Sequence, residues 1–181
     1  WCAVGLNALE VALQRLGDAV PVDIHFQPFE LNPTMGPDGA DAGDYLKAKY
    51  GMGDEQLARN RATIRERGAA VGFVFGERLR VWNTFNAHRM LHLAKKYQLA
   101  NDLEELLFKA YLTEGKNIDD NNTLKKLGVS VGLNAEAIDE VLNSDAYGSD
   151  VKQDIQNANS IGVQGVPFFV FHNKYAVSGA Q

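Results

Sequence analysis

The sequence has 181 residues, enough for one domain, or one core with a sizeable insertion, and enough to bury a real apolar core. Hydrophobic residues make up 45% and charged residues 23%, which sets aside disordered and fibrous classes. With 18 basic and 23 acidic residues the formal charge is -5 and there is no basic run, so no nucleic-acid partner is expected. The longest apolar stretches, such as residues 166–171, fall well short of the roughly 20 residues a bilayer-spanning helix needs, and no membrane role is expected.

In chain order, residues 4–16 carry Leu6, Leu9, Leu13 and Leu16 at spacings of three and four, one stripe of an amphipathic helix that Gly17 ends. Cys2 therefore stands at or just before a helix N-terminus. Residues 20–27 alternate Val22, Ile24 and Phe26 with Asp23 and His25, a strand pattern that Pro28 closes. Residues 29–40 hold Pro33, Gly36, Pro37 and Gly39 and read as a loop. No strand pattern follows until residue 162. The spacing predicts helices over 41–50, 54–71, 84–99, 101–114, 122–131, 134–143 and 147–161, with glycines 51, 115, 132 and 162 as stops. Asn101 with Glu104, and Asn134 ahead of Ala-Glu-Ala, are expected N-caps. Residues 167–172 contain the continuous run Phe168-Phe169-Val170-Phe171, typical of a strand buried on both faces. Asn173-Lys174 reads as a turn into a last short strand over 175–178.

The order helix, strand, helical block, strand, strand predicts an α/β fold: a thioredoxin-like core of residues 1–40 and 163–181, interrupted by a large all-helical insertion over 41–162 that includes the return helix to the core. Three strands would leave the faces of the first helix and of the Phe-rich strand unfilled, so a hydrophobic strand is expected ahead of Trp1. The chain has no initiator Met, no secretory signal and no closing helix after Gln181, and is expected to be truncated at both ends. Its location is taken as cytoplasmic.

One cysteine excludes an intrachain structural disulfide within these residues. A lone cysteine is ordinarily a small buried hydrophobe, but Cys2 lies beside a tryptophan at a helix start, where a core cysteine would be poorly covered. Helix N-termini favour a thiolate through their free N–H groups and partial positive charge.

Trp1-Cys2-Ala3-Val4-Gly5 resembles the second half of the Cys-Pro-Trp-Cys-x-x-Gly start of FrnE-like proteins of the DsbA family. Further matches follow in order: Phe29-Glu30-Leu31-Asn32-Pro33, Asn83-Thr84-Phe85-Asn86-Ala87-His88-Arg89, Ala110-Tyr111-Leu112-Thr113-Glu114-Gly115, Gly165-Val166-Pro167-Phe168-Phe169 and Ser178-Gly179-Ala180-Gln181. The first cysteine and its proline are not in the sequence. The resemblance implies a thiol-disulfide oxidoreductase in which Cys2 is the second, resolving cysteine of a Cys-x-x-Cys pair. It also implies a cis-proline at Pro167, with the Val166 backbone pairing with an extended substrate. Trp1 would cover the thiols as an apolar platform, and Asn83 and His88 would line the cleft above the pair. The plainer alternative has Asn83 capping its helix and His88 packed inside. His88 and His92 share a helix face at a spacing that can bind metal, but no third ligand lies at a matching interval and no metal is expected. The partners implied are thiol or disulfide proteins or small thiols. No resident cofactor is expected, with glutathione as a redox partner or cosubstrate, and a homodimer is compatible.

Two other readings compete. Kappa-class glutathione transferases and 2-hydroxychromene-2-carboxylate isomerases are similar to this chain but place a serine where the first cysteine belongs, and have no need of a resolving thiol. A redox-inactive module that binds apolar segments between core and insertion is the non-enzyme alternative.

Overall fold

The computed structural model describes residues 1–180. Gln181, the last residue of the Ser178-Gly179-Ala180-Gln181 motif, and the side chain of Asp18 lie outside the described residues. Helix α1 spans Cys2–Leu16, and only its first turn is well buried, through Ala3, Val4, Gly5 and Leu6. The helical block holds α2 (Ala42–Tyr50), α3 (Asp54–Ala70), α4 (Phe85–Lys96), α5 (Ala100–Phe108), α6 (Asn121–Ser130), α7 (Ala135–Leu142) and α8 (Gly148–Ser160). Two antiparallel ribbons frame it: β1 (Ala40–Asp41) with β2 (Arg80–Val81), and β3 (Phe168–Phe171) with β4 (Tyr175–Ser178). The result is an α/β fold of the thioredoxin kind with a helical insertion.

Local chemistry accounts for several helix ends. Asp41 caps α2 by accepting from Asp44 N, and Gly51 closes that helix at φ 65°, a left-handed residue without a Cβ penalty. Asp120 accepts from Thr123 N, and Asn134 from Glu136 N and Ala137 N. The expected cap at Asn101 is different. Helix α5 begins at Ala100 after Leu99, with no side-chain cap, so Asn101 lies inside the first turn and Glu104 is free to face elsewhere. Beyond Phe108 the helix widens into a π-helical turn, Lys109–Thr113, where a plain α-helix to residue 114 was expected.

The core lies within the helical block. Met90, Leu103, Leu124, Ile138 and Val151 are fully buried; the first four belong to one cluster that draws α4, α5, α6 and α7 together, and α8 packs on α4. Arg89 is the one buried charged residue among the described residues. It donates to the carbonyls of Ala146 (2.8 Å), Ser144 (2.6 Å) and Val141, and to Asn86 Oδ1 (2.9 Å), fastening the turn between α7 and α8 to α4. Spread over four acceptors, the guanidinium is satisfied without a carboxylate.

Three strand expectations need correction. Residues 20–27 join no ladder among the described residues. Alternation persists, with Ile24 and Phe26 half-buried and their neighbours exposed, and the His25 ring sits 2.9 Å from Asp23 two residues away, as on one side of an extended chain. Alternation fixes which side chains share a face, but a ladder needs a neighbouring edge, which local pattern does not encode. Strand β3 is not buried on both faces: Phe168 and Phe169 are half-buried, Val170 and Phe171 exposed. The turn sits one residue earlier than read, at His172 (φ 51°) and Asn173 (φ 55°), with Lys174 N donating to Phe171 O at 3.0 Å. The connection between the paired Phe171 and Tyr175 is three residues long, with positive φ at its first two.

Candidate functional site around Cys2

Trp1 is the N-cap of α1 and offers no side-chain cap, so the free N–H groups of the first turn face the region of Cys2. Trp1 is 48% exposed, while Cys2 is half-buried and unpaired. Burial pushes the Cys2 thiol above its ordinary value and the negative charge of Glu104 adds to this, against a lowering by the amino group of Trp1 and by the backbone N–H of Cys2 itself. At neutral pH Cys2 is therefore a thiol and not a thiolate. That state suits a sulfur that waits behind a more reactive one better than a sulfur that attacks first.

The first turn of α1 is held against Pro167. A Cβ placed on Gly5 would lie 3.0 Å from Pro167 Cγ and 3.1 Å from Phe169 Cζ, so the helix reaches the proline only because residue 5 has no side chain. The Val166–Pro167 peptide is cis. Pro167 is buried and Val166 half-buried, and Pro167 O accepts from Gly179 N at 2.9 Å, which ties the head of β3 to the end of β4. Cys2, Pro167 and Val166 thus belong to one locality, joined through Gly5.

Asn83 and His88 are placed differently. Asn83 Oδ1 accepts from Phe85 N at 2.7 Å and its amide donates to Met35 O at 3.3 Å, so both ends of this side chain organise the start of α4 and the neighbouring loop. His88 lines a cavity of about 480 Å³ with Ile24, Phe26, Leu91, His92, Glu104 and Asp154. Both of its ring nitrogens are shut from solvent without a well-aligned hydrogen bond, although the Phe29 backbone lies near enough to favour the charged ring. Burial outweighs that and lowers its pKa to about 4, so His88 is neutral at physiological pH. His92 turns away from it, with Nε2 3.1 Å from Asp154 Oδ2 and its ring stacked on Tyr147 at 6.0 Å. No group of three metal-binding side chains occurs among the described residues.

Two residues were not read from the sequence as site residues. Glu104 stands on α5 in the wall of that cavity, where burial pushes its pKa up to about 7, and its charge reaches Cys2. Arg78 stands over the Tyr111 ring, its guanidinium carbon 4.9 Å from the centroid. The only available signal for Glu104 pointed the wrong way, since its spacing from Asn101 matched a capping box.

A thioredoxin-like core with a helical insertion, carrying a thiol at a helix start and a cis-proline against that helix, defines the class of a thiol-exchange scaffold. The chain belongs to the DsbA-like thioredoxin domain family, whose model matches residues 1–181. It is similar to a solved structure described as a probable DsbA oxidoreductase from Streptomyces coelicolor, with a TM-score of 0.94 and 34% identity, over 100% of this chain and 79% of that one. It is also 25% identical to the Bacillus subtilis protein YwbO, described as uncharacterized, over 171 residues, 94% of this chain and 80% of that protein. The DsbA-like fold supports a general thiol-disulfide oxidoreductase role. No helix among the described residues is long and apolar enough to cross a membrane.

Proposed function

We propose that this protein is a thiol-disulfide oxidoreductase of the FrnE-like kind, exchanging disulfides with protein or small-thiol substrates through a Cys-x-x-Cys pair in which Cys2 is the resolving member. The observation that carries the reading is the placement of Cys2: a protonated, half-buried thiol opening α1, whose first turn lies against the cis-bonded Pro167. In the exchange, an outer thiolate three residues earlier attacks a substrate disulfide and expels one substrate thiolate. Cys2 then attacks the outer cysteine's sulfur, the mixed disulfide breaks, and the second substrate thiolate leaves. Substrate is reduced by two electrons and the pair is oxidised by two; the reverse sequence oxidises substrate.

The Cys2 proton needs an acceptor when that sulfur attacks. Glu104 suits the part, because its charge reaches Cys2 and its pKa of about 7 keeps it partly ionised at neutral pH. Trp1 supplies an exposed apolar platform beside the thiol, and the Val166 backbone ahead of Pro167 offers an edge for an extended segment. Glutathione fits as a redox partner, with no resident cofactor, and the cytoplasm as the site of action is part of the same proposal.

The test is a redox titration and an insulin-reduction assay on the full-length protein. The reading requires a two-electron midpoint and turbidity that depends on Cys2. A serine three residues before Cys2, with glutathione-dependent transfer and no insulin reduction, would favour the kappa-class or isomerase chemistry instead. Absence of both activities would leave a binding module.

A further inference from the structure

The cavity between α4, α5 and residues 23–28 has a volume of about 480 Å³, within the range of small-molecule pockets. Its wall combines apolar Ile24, Phe26 and Leu91 with several charged or polar side chains. Most of the latter are accounted for. His25 Nε2 lies 2.9 Å from Asp23 Oδ2 and His92 Nε2 lies 3.1 Å from Asp154 Oδ2, and Lys95 is exposed to solvent.

His88 and Glu104 are what remains. Both ring nitrogens of His88 are shut from solvent without an aligned hydrogen bond. A neutral imidazole carries one N–H and one lone pair. The Phe29 backbone favours a proton on this ring, as a carbonyl near the N–H does, and the lone pair of the other nitrogen has no donor. Glu104 makes no hydrogen bond or ion pair among the described residues, and burial alone raises its pKa, with no cation near enough to oppose it. The cavity therefore presents two acceptors, an imidazole nitrogen and a carboxylate, and a donor for neither. Anions are disfavoured there, because Glu104, Asp23 and Asp154 share the wall. A carboxylate away from bulk water is best satisfied by a cation that also donates hydrogen bonds.

We propose that this cavity binds a small primary amine as its ammonium ion, with N–H groups donated to the Glu104 carboxylate and to the free His88 ring nitrogen, and with the apolar body of the ligand against Ile24, Phe26 and Leu91. The inference goes beyond disulfide exchange and does not rest on it. An ammonium group supplies both missing donors and the positive charge together; an alcohol of the same shape supplies one donor and no charge.

Binding is tied to the ionised acid. With a pKa of about 7, Glu104 is about one-tenth ionised at pH 6 and about nine-tenths at pH 8, so the affinity for an amine that stays protonated over this range rises about tenfold between them. The other titratable groups around it are Asp23 and His25 on the extended segment, His88, His92 and Lys95 on α4, Asp154 on α8 and Cys2 on α1. Glu104→Gln keeps all of these and so separates the titration of the carboxyl from theirs.

The experiment measures binding of benzylamine and of benzyl alcohol to the full-length protein by isothermal titration calorimetry at pH 6 and pH 8, for wild type, Glu104→Gln and His88→Phe, with the NMR shift of the Phe26 amide locating the ligand. Wild type at pH 8 is expected to bind benzylamine with a dissociation constant of about 1 mM or tighter, and about tenfold more tightly than benzyl alcohol. Glu104→Gln should lose about tenfold and show no change between the two pH values, whereas His88→Phe should lose about threefold and keep the pH dependence. Equal affinity for amine and alcohol, a variant of either residue that binds like wild type, or a wild type that takes no benzylamine because the cavity holds water alone, overturns the proposal.

Discussion

Replacing Glu104 by Gln should stabilise the protein at high pH and do little at low pH. The carboxyl sits in the wall of a cavity that His88, His92, Asp154, Asp23, His25 and Lys95 also line, and no hydrogen bond or ion pair among the described residues satisfies it. Its pKa is about 7 in the fold against 4.5 for a free glutamate. The native state therefore holds a proton that the unfolded chain has released, and stability falls as pH rises from about 4.5 to about 7. A shift of that size corresponds to about 3 kcal/mol, an upper bound because Glu104 keeps part of its surface in water. Gln has the shape of the protonated acid and never ionises. Urea denaturation should find Glu104→Gln more stable than wild type by about 2 to 3 kcal/mol at pH 8 and within about 0.5 kcal/mol at pH 4.5. Because the ionised carboxylate also holds the Cys2 thiol up, the variant's Cys2 should alkylate at lower pH. A stability difference of the same size at both pH values would refute the reasoning.

Other predictions concern the two flanks of the site. Gly5→Val should force α1 away from Pro167 and Phe169, since a Cβ there already meets them at 3.0 and 3.1 Å; a loss of about 2 to 3 kcal/mol in chemical denaturation is expected, with slowed exchange even where the variant is folded. His88 works in the opposite direction from Glu104: its folded pKa of about 4 lies below the free value of 6.5, so the unfolded chain gains a proton first and stability is lost as pH falls from about 6.5 to about 4. His88→Gln should flatten that loss, which amounts to at most about 3 kcal/mol, in denaturation curves taken at pH 7 and pH 4.5.

Most of the helical architecture was legible because it is local. The Leu stripe of α1, the Asp41 and Asn134 caps and the stop at Gly51 act within a turn or two of their own positions. What escaped was set by partners distant in sequence. Residues 20–27 show the alternation of a strand without the edge that would make them one. The Ala40–Asp41 pairing with Arg80–Val81 joins residues about forty apart and is too short to leave a pattern. The π-helical turn answers to Gly76 and Thr113 meeting across the loop, which no periodicity records. At the site, Cys2 stood out as a lone thiol at a helix start, while its redox role and the cis bond at Pro167 were expected from the family resemblance of the surrounding motifs. Glu104 was not legible, since a carboxylate on an amphipathic helix reads the same whether it faces water or a cavity, and His88 found its neighbours in α5 and residues 24–28.

The central claim is tested most directly by mass spectrometry of the full-length Cys2→Ser protein after reaction with a disulfide substrate. If Cys2 resolves the mixed disulfide, the variant accumulates a long-lived adduct on the cysteine three residues upstream, and wild type instead shows one peptide lighter by two hydrogens, with an internal disulfide through Cys2. A Cys2 that remains free to alkylation in the oxidised wild type, with no adduct in the variant, would contradict the account.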